Sequence, residues 1–185
     1  MSATKENLLK AFAGESQARN KYTYFAGIAK KEGFEQISAL FLETADNEKE
    51  HAKIFYKHLG KGMQEIHATY GFGLGTTKEN LLAAAEGEKE EWDKLYKEFE
   101  ATARKEGFLD VASSFKEVAE VEAQHEKRYR ALLKNLEENK VFKKDKVVKW
   151  VCRNCGHVHE GKEAPGICPA CKHPQAYFEV KAENY

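Results

Sequence analysis

Apolar positions recur with a helical period along four long stretches of the chain. The first runs from about Lys5 to Lys31 and stops at Gly33; the second runs from about Glu35 to His58 and ends before Gly60. The third starts after Thr77 and reaches about Lys105, with Gly107 beyond it, and the fourth spans about Leu109 to Glu138. Thr4 and Thr77 are the expected N-caps, and the glycines are the expected stops. The inward stripe of helix one reads Leu8, Phe12, Glu15, Ala18 or Arg19, Tyr22, Ala26, Ala29, and that of helix two reads Ile37, Phe41, Thr44, Glu48, His51, Phe55. Helix three gives Leu81, Ala84, Glu88, Glu91, Leu95, Phe99; helix four gives Val111, Phe115, Val118, Glu122, His125, Tyr129, Leu132, Leu136. Each stripe is apolar at its ends and acidic in the middle.

The chain also repeats itself. Lys5-Glu6-Asn7-Leu8-Leu9 returns as Lys78-Glu79-Asn80-Leu81-Leu82, an offset of 73, and Lys31-Glu32-Gly33-Phe34 returns as Lys105-Glu106-Gly107-Phe108, an offset of 74. Each half is therefore expected to be a helical hairpin, and the two to pack as a pseudo-symmetric four-helix bundle. Residues 59–78 join the hairpins and hold five glycines. Twenty extended residues span roughly 66 Å, whereas a 24-residue helix is about 36 Å long. The connection can thus run the length of the bundle and leave helices two and three parallel, the crossover arrangement of ferritin-like bundles. The bundle is expected over 1–139, a linker and first strand over 140–149, and a compact loop-rich unit over 150–185.

Composition narrows the function. Thirty basic residues balance thirty acidic ones, so no nucleic-acid footprint or anionic-membrane anchor is expected. No apolar run approaches the roughly 20 residues that span a bilayer, and the first residues lack the apolar core of a signal peptide. A cytoplasmic location is the expectation.

An unpaired buried carboxylate is costly enough that it protonates or finds a partner. Five glutamates and two histidines sit near one height, with few basic residues facing inward. Glu48-x-x-His51 and Glu122-x-x-His125 each place a carboxylate and an imidazole one turn apart. One such pair from each hairpin, plus a glutamate from each remaining helix, is the ligand set of dinuclear carboxylate sites, and oxygen with imidazole suits iron or manganese. A lone Glu-x-x-His is ordinarily solvated surface. Recurrence overturns that reading here, because Glu15, Glu48 and His51 reappear as Glu88, Glu122 and His125.

All four cysteines lie between 152 and 171. Cys152-x-x-Cys155 and Cys168-x-x-Cys171 form two knuckles able to close a tetrahedral four-thiolate site, for which spacing alone fits iron or zinc equally. With four thiolates present, His157, His159 and His173 are not needed as ligands.

Taken together, these motifs resemble the rubrerythrin family over the whole chain. The resemblance rests on Gly14-Glu15-Ser16-Gln17-Ala18-Arg19, Glu48-Lys49-Glu50-His51, Gly87-Glu88-Lys89-Glu90-Glu91, the stretch from Glu122 to Arg128, and the tail from Cys168 to Pro174. It implies a di-iron site bridged by Glu48 and Glu122, with Glu15 terminal on one iron and Glu88 and His125 terminal on the other. Glu91 would ligate the first iron when oxidised and yield to His51 on reduction, and Tyr22 and Tyr96 match tyrosines surrounding the centre in that family. The tail would hold a single iron in a rubredoxin-like unit. The implied activity is reduction of hydrogen peroxide to water, with electrons from a pyridine-nucleotide-dependent reductase, directly or through a rubredoxin-type carrier, in a homodimer or larger assembly. Two other readings stand beside it: a ferroxidase or iron-storage bundle, and a binding module whose tail is a structural zinc ribbon. Storage gains nothing from a one-electron centre, and the zinc module leaves the buried glutamates unexplained.

The repeat itself supplies a reason for the exchange. Glu91 falls opposite Ala18, so one metal has a surplus carboxylate facing His51. Five carboxylates exceed the positive charge of two ferrous ions, and releasing one restores balance. The offset grows from 73 to 74 between Glu88 and Tyr96, which places one extra residue within 89–96. A π-bulge absorbs such an insertion most simply; the alternative is that the extra residue only lengthens the frayed helix end near Lys105.

Overall fold

The computed structural model describes residues 2–184. Helices α1 (Ala3–Lys31) and α2 (Glu35–Leu59) form one hairpin. α3 (Thr77–Glu90), a π-helical turn (Glu91–Leu95) and α4 (Tyr96–Lys105) make up one long third helix, which pairs with α5 (Leu109–Glu137).

The matched turns of the two hairpins arise from matched sequences. At Gly33, φ is +85°, Phe34 N–H donates to the Ala29 carbonyl and Gly33 N–H to that of Lys30. At Gly107 the same φ recurs, with bonds from Phe108 to Ala103 and from Gly107 to Arg104. This left-handed closure satisfies otherwise orphaned carbonyls, and glycine adopts it without Cβ strain.

The N-caps fall earlier than expected. Ser2, not Thr4, caps α1 by accepting from Lys5 N–H. Thr76, not Thr77, caps α3 in a reciprocal box with Glu79. Ser2 and Thr76 are the extended residues at each helix start, the backbone geometry that lets a hydroxyl reach the exposed N–H groups. Thr4 and Thr77 are instead buried, and each donates its backbone N–H to the turn of the other hairpin: Thr4 to Glu106 at 2.8 Å and Thr77 to Glu32 at 3.0 Å.

These reciprocal contacts run α1 antiparallel to the third helix, so α2 and α3 are parallel. Residues 60–76 cross the length of the bundle as the expected extended connection, anchored midway by Tyr70, whose hydroxyl donates to the Lys10 carbonyl at 2.9 Å. Two aromatic-rich clusters fill the ends: Tyr22, Phe25, Phe41 and Tyr129 on one side, Phe55, Tyr96 and Phe115 on the other. On α1 the inward position is Ala18 rather than Arg19. On the third helix it is Tyr96 rather than Leu95, because the π turn rotates the rest of the helix by one residue.

Asn139, at φ +53°, closes α5. Strand β1 (Lys143–Cys152) then lies between β2 (Val158–Glu163) and β3 (Phe178–Val180), antiparallel to both. It runs past residue 149 and carries the first cysteine itself. Trp150, Cys152, Ala164, Cys168 and Phe178 form this unit's core. The unit seats on the α1–α2 turn, where Phe142 stacks on Phe34 with ring centres 6.1 Å apart. No helix among the described residues is long and apolar enough to cross a membrane.

Candidate metal centres

Midway along the bundle the four acidic stripes converge. Glu15, Glu48, His51 and Glu122 bring ligand atoms within 4.8 Å of one another, and so do Glu48, Glu88, Glu122 and His125. Glu48 and Glu122 belong to both groups. His51 Nδ1 lies 2.8 Å from Glu122 and 2.9 Å from Glu48; His125 Nδ1 lies 2.7 Å from Glu122 and 3.2 Å from Glu48. Tyr22 donates to Glu88 at 2.5 Å, and Tyr96 donates to Glu15. Burial raises both phenols, each further by the carboxylate it faces, so both oxygens keep their protons.

The set suits two divalent cations. Glu15 Oε2, Glu48 Oε1, Glu88 Oε2, both carboxylate oxygens of Glu122 and His125 Nδ1 are buried and, despite the close imidazole–carboxylate approaches, none makes a well-aligned hydrogen bond, an arrangement that costs stability unless something else satisfies them. Without cations, protons hold the cluster together. Burial, then Glu122, raises the Glu15 carboxyl and pushes Glu88 up to about 8. Burial works to raise Glu48 too, but His125 and His51 outweigh it and hold it at about 2. Burial works against the charged imidazoles, yet Glu122, Glu48 and Glu88 push His125 up to about 12, and Glu122, Glu15 and Glu48 raise His51.

Glu91 lies outside both groups. Its carboxylate stands beside Gly14 and lines a cavity of about 1380 Å³ between α1 and the third helix, roofed by the crossover segment. Among the candidate ligands it alone reaches this cavity. Glu91 also opens the π turn, inside the interval marked by the change of repeat offset. The indole of Trp92, next in the turn, donates to Glu126 on α5 at 2.6 Å.

Three contributors escaped the sequence reading. Tyr70 packs beside Gly14, 3.7 Å from where a Cβ would stand; it sits in a segment with no periodicity to mark it. Tyr129, read only as part of the stripe, is buried with an unpartnered hydroxyl. Asn47 Oδ1 accepts from His125 Nε2 at 3.3 Å, and its mismatch with the repeat was a legible signal.

In the tail, Cys152 and Cys171 sulfurs are 3.7 Å apart, as are those of Cys155 and Cys168, and all four lie within 4.8 Å. Thiolates about 2.3 Å from a central ion form a tetrahedron with edges of about 3.8 Å, so the spacing fits. The two knuckles are built alike: Gly156 N–H bonds the Cys152 carbonyl, and Lys172 N–H bonds that of Cys168. The positive φ these turns require is met by Gly156 and Lys172. The His173 amide, foremost, lowers the Cys171 thiol to about 5. His173 itself packs edge-on against Tyr177 and is not in the sulfur cluster.

Comparison with known proteins agrees with both centres. The family model described as rubrerythrin matches residues 6–133 and 79–153, and that of the rubrerythrin rubredoxin-like domain matches residues 150–179. Rubrerythrin-1 of Clostridium acetobutylicum is 60% identical over 187 residues, covering 98% of this chain and 96% of its own. Rubrerythrin of Porphyromonas gingivalis is 56% identical over 185 residues, covering 100% and 92%. The solved structure of nigerythrin in its fully reduced, all-ferrous state superposes with a TM-score of 0.64 at 31% identity, covering 98% and 88%.

Proposed function

This chain belongs to the rubrerythrin family, and on that premise we propose that it reduces hydrogen peroxide to water in its bundle, with electrons relayed through its four-cysteine tail. Membership brings a di-iron site and a rubredoxin-like iron site, and makes the chain an oxidoreductase. The observation that carries the peroxidase reading is the pairing of a one-electron thiolate site with a buried dinuclear site whose Glu91 side opens on a cavity.

Shared membership of Glu48 and Glu122 in both groups supports them as bridges, with Glu15 and His51 serving one metal and Glu88 and His125 the other. Two ferrous ions, if held there, would supply the two electrons that cleavage of one peroxide O–O bond consumes. Two protons are consumed as well, and Tyr22 and Tyr96 keep protons at their hydroxyls against Glu88 and Glu15. Glu91, which lines the cavity, and His51, inside the cluster, would exchange as ligands between the oxidised and reduced pair, a reading their opposite positions support.

Glu15 lies 16 residues before the end of α1 at Lys31, roughly 24 Å of helix. The tail unit seats beyond that end, with Ala176 against Gly33. Electron tunnelling falls steeply over such a span. A homodimer in which one subunit's tail approaches the other's bundle shortens it, and electrons then come from a pyridine-nucleotide-dependent reductase or a rubredoxin-type carrier.

Replacing Cys152 and Cys155 with serine tests the relay. Reductase-driven peroxide turnover is expected to vanish while the bundle still binds two irons, and the visible colour of a ferric four-thiolate centre disappears. Unchanged steady-state turnover in that variant overturns the relay.

A further inference from the structure

A histidine that ligates a metal through one ring nitrogen is ordinarily held by a protein acceptor at the other, which fixes the ring. The Nδ1 atoms of His51 and His125 face the shared carboxylates Glu48 and Glu122 in closely matched fashion. The far sides of the two rings differ. His125 Nε2 meets Asn47 Oδ1 at 3.3 Å, whereas the side-chain hydrogen bond of His51 runs from Nδ1 to Glu48 and none reaches its Nε2 among the described residues.

The repeat explains the difference. The offset of 74 that carries Glu48 to Glu122 and His51 to His125 carries Asn47 to Val121. The position that should hold His51 is therefore occupied by a side chain with no polar atom, 38% exposed.

We propose that Asn47 and Val121 decide which histidine can leave its ligand position: Asn47 pins His125, and Val121 leaves His51 free to turn. This rests on the ligand exchange proposed above and supplies its cause. Turning His125 away breaks its Nε2 bond to the half-buried Asn47 amide. Turning His51 away breaks nothing on the far side. The surplus carboxylate of Glu91 opens the π turn and faces Glu15, whose carboxylate lies 3.8 Å from His51 Nδ1, so these departures from two-fold symmetry gather on the His51 side.

Asn47→Val and Val121→Asn test this without recourse to turnover. In the metal-free protein, nitrogen-resolved NMR of the imidazoles is expected to show one slowly exchanging Nε2 proton, that of His125. Val121→Asn adds a second, from His51; Asn47→Val abolishes the first, and Asn47→Asp, which keeps an acceptor, restores it. In the loaded protein, Asn47→Val weakens metal binding by roughly 10- to 100-fold. Crystal structures of oxidised and reduced Val121→Asn should show His51 on the metal in both. A wild-type His51 that stays put between oxidation states overturns the exchange. A His51 that moves equally in wild type and in Val121→Asn, or equal Nε2 proton exchange in all variants, overturns the assignment to Asn47 and Val121.

Discussion

Tyr96 shows how much a single hydroxyl carries at the residue scale. It is buried, and among the described residues it is the only side chain of the third helix that donates to Glu15. Tyr96→Phe keeps the ring and leaves a buried carboxylate oxygen without its donor. The expected cost is about 1–3 kcal/mol, read as a lower urea midpoint at unchanged slope. Gly14 is the complementary case, since a glycine inside a helix costs about 1 kcal/mol relative to alanine. Its missing side chain leaves room for the Tyr70 ring and the Glu91 carboxylate, 3.7 and 3.9 Å from the Cβ position.

At the scale of elements, the π turn and the crossover segment shape the Glu91 side. Removing Asp93, exposed within the turn, returns the third helix to the register of α1 and keeps Tyr96 facing inward. Such a variant is expected to fold with a thermal midpoint at or above that of the parent, while peroxide turnover falls on the order of 100-fold because Glu91 is misplaced. A turnover equal to the parent's contradicts a role for the turn. Among the crossover residues that line the cavity, Tyr70 stands beside Gly14 on the Glu91 side. Tyr70→Ala is expected to speed removal of bundle iron by a bulky chelator, and Tyr70→Trp to slow it; equal rates in all three proteins dismiss the closure.

For the whole molecule, the metals replace the protons that otherwise hold the cluster together. Without them Glu88 is raised from 4.5 to about 8 and His125 from 6.5 to about 12. Both bind more protons folded than unfolded in those windows, so each contributes less stability as pH rises through them. Glu48 runs the other way: lowered from 4.5 to about 2, its contribution is present above 4.5 and lost as pH falls toward 2. Metal binding displaces the protons on Glu88 and His125. The gap between the melting points of loaded and metal-free protein is therefore expected to widen from pH 5 to pH 8, measured by calorimetry on both forms. A gap independent of pH shows that those protons are not displaced.

Much of the architecture was readable along the chain, because helical period, glycine stops and internal repetition are local properties. The four helices, the parallel second and third helices, the clustered glutamates, histidines and cysteines, and the extra residue near Glu91 are all legible in spacing. Three-dimensional packing decided what spacing leaves degenerate. Neighbouring threonines and serines compete to cap a helix, and backbone direction chose Ser2 and Thr76 over Thr4 and Thr77. One inserted residue can settle at several places, and the resulting turn moved the inward position from Leu95 to Tyr96. The contact of Tyr70 with Lys10 joins distant segments and leaves no periodic trace, while Asn47 shows along the chain only as a mismatch in the repeat, with its partner His125 supplied by another helix. Sequence determined which side chains share a height in the bundle; the fold alone decided which of them are held and which are free to move, because that depends on partners supplied by other helices.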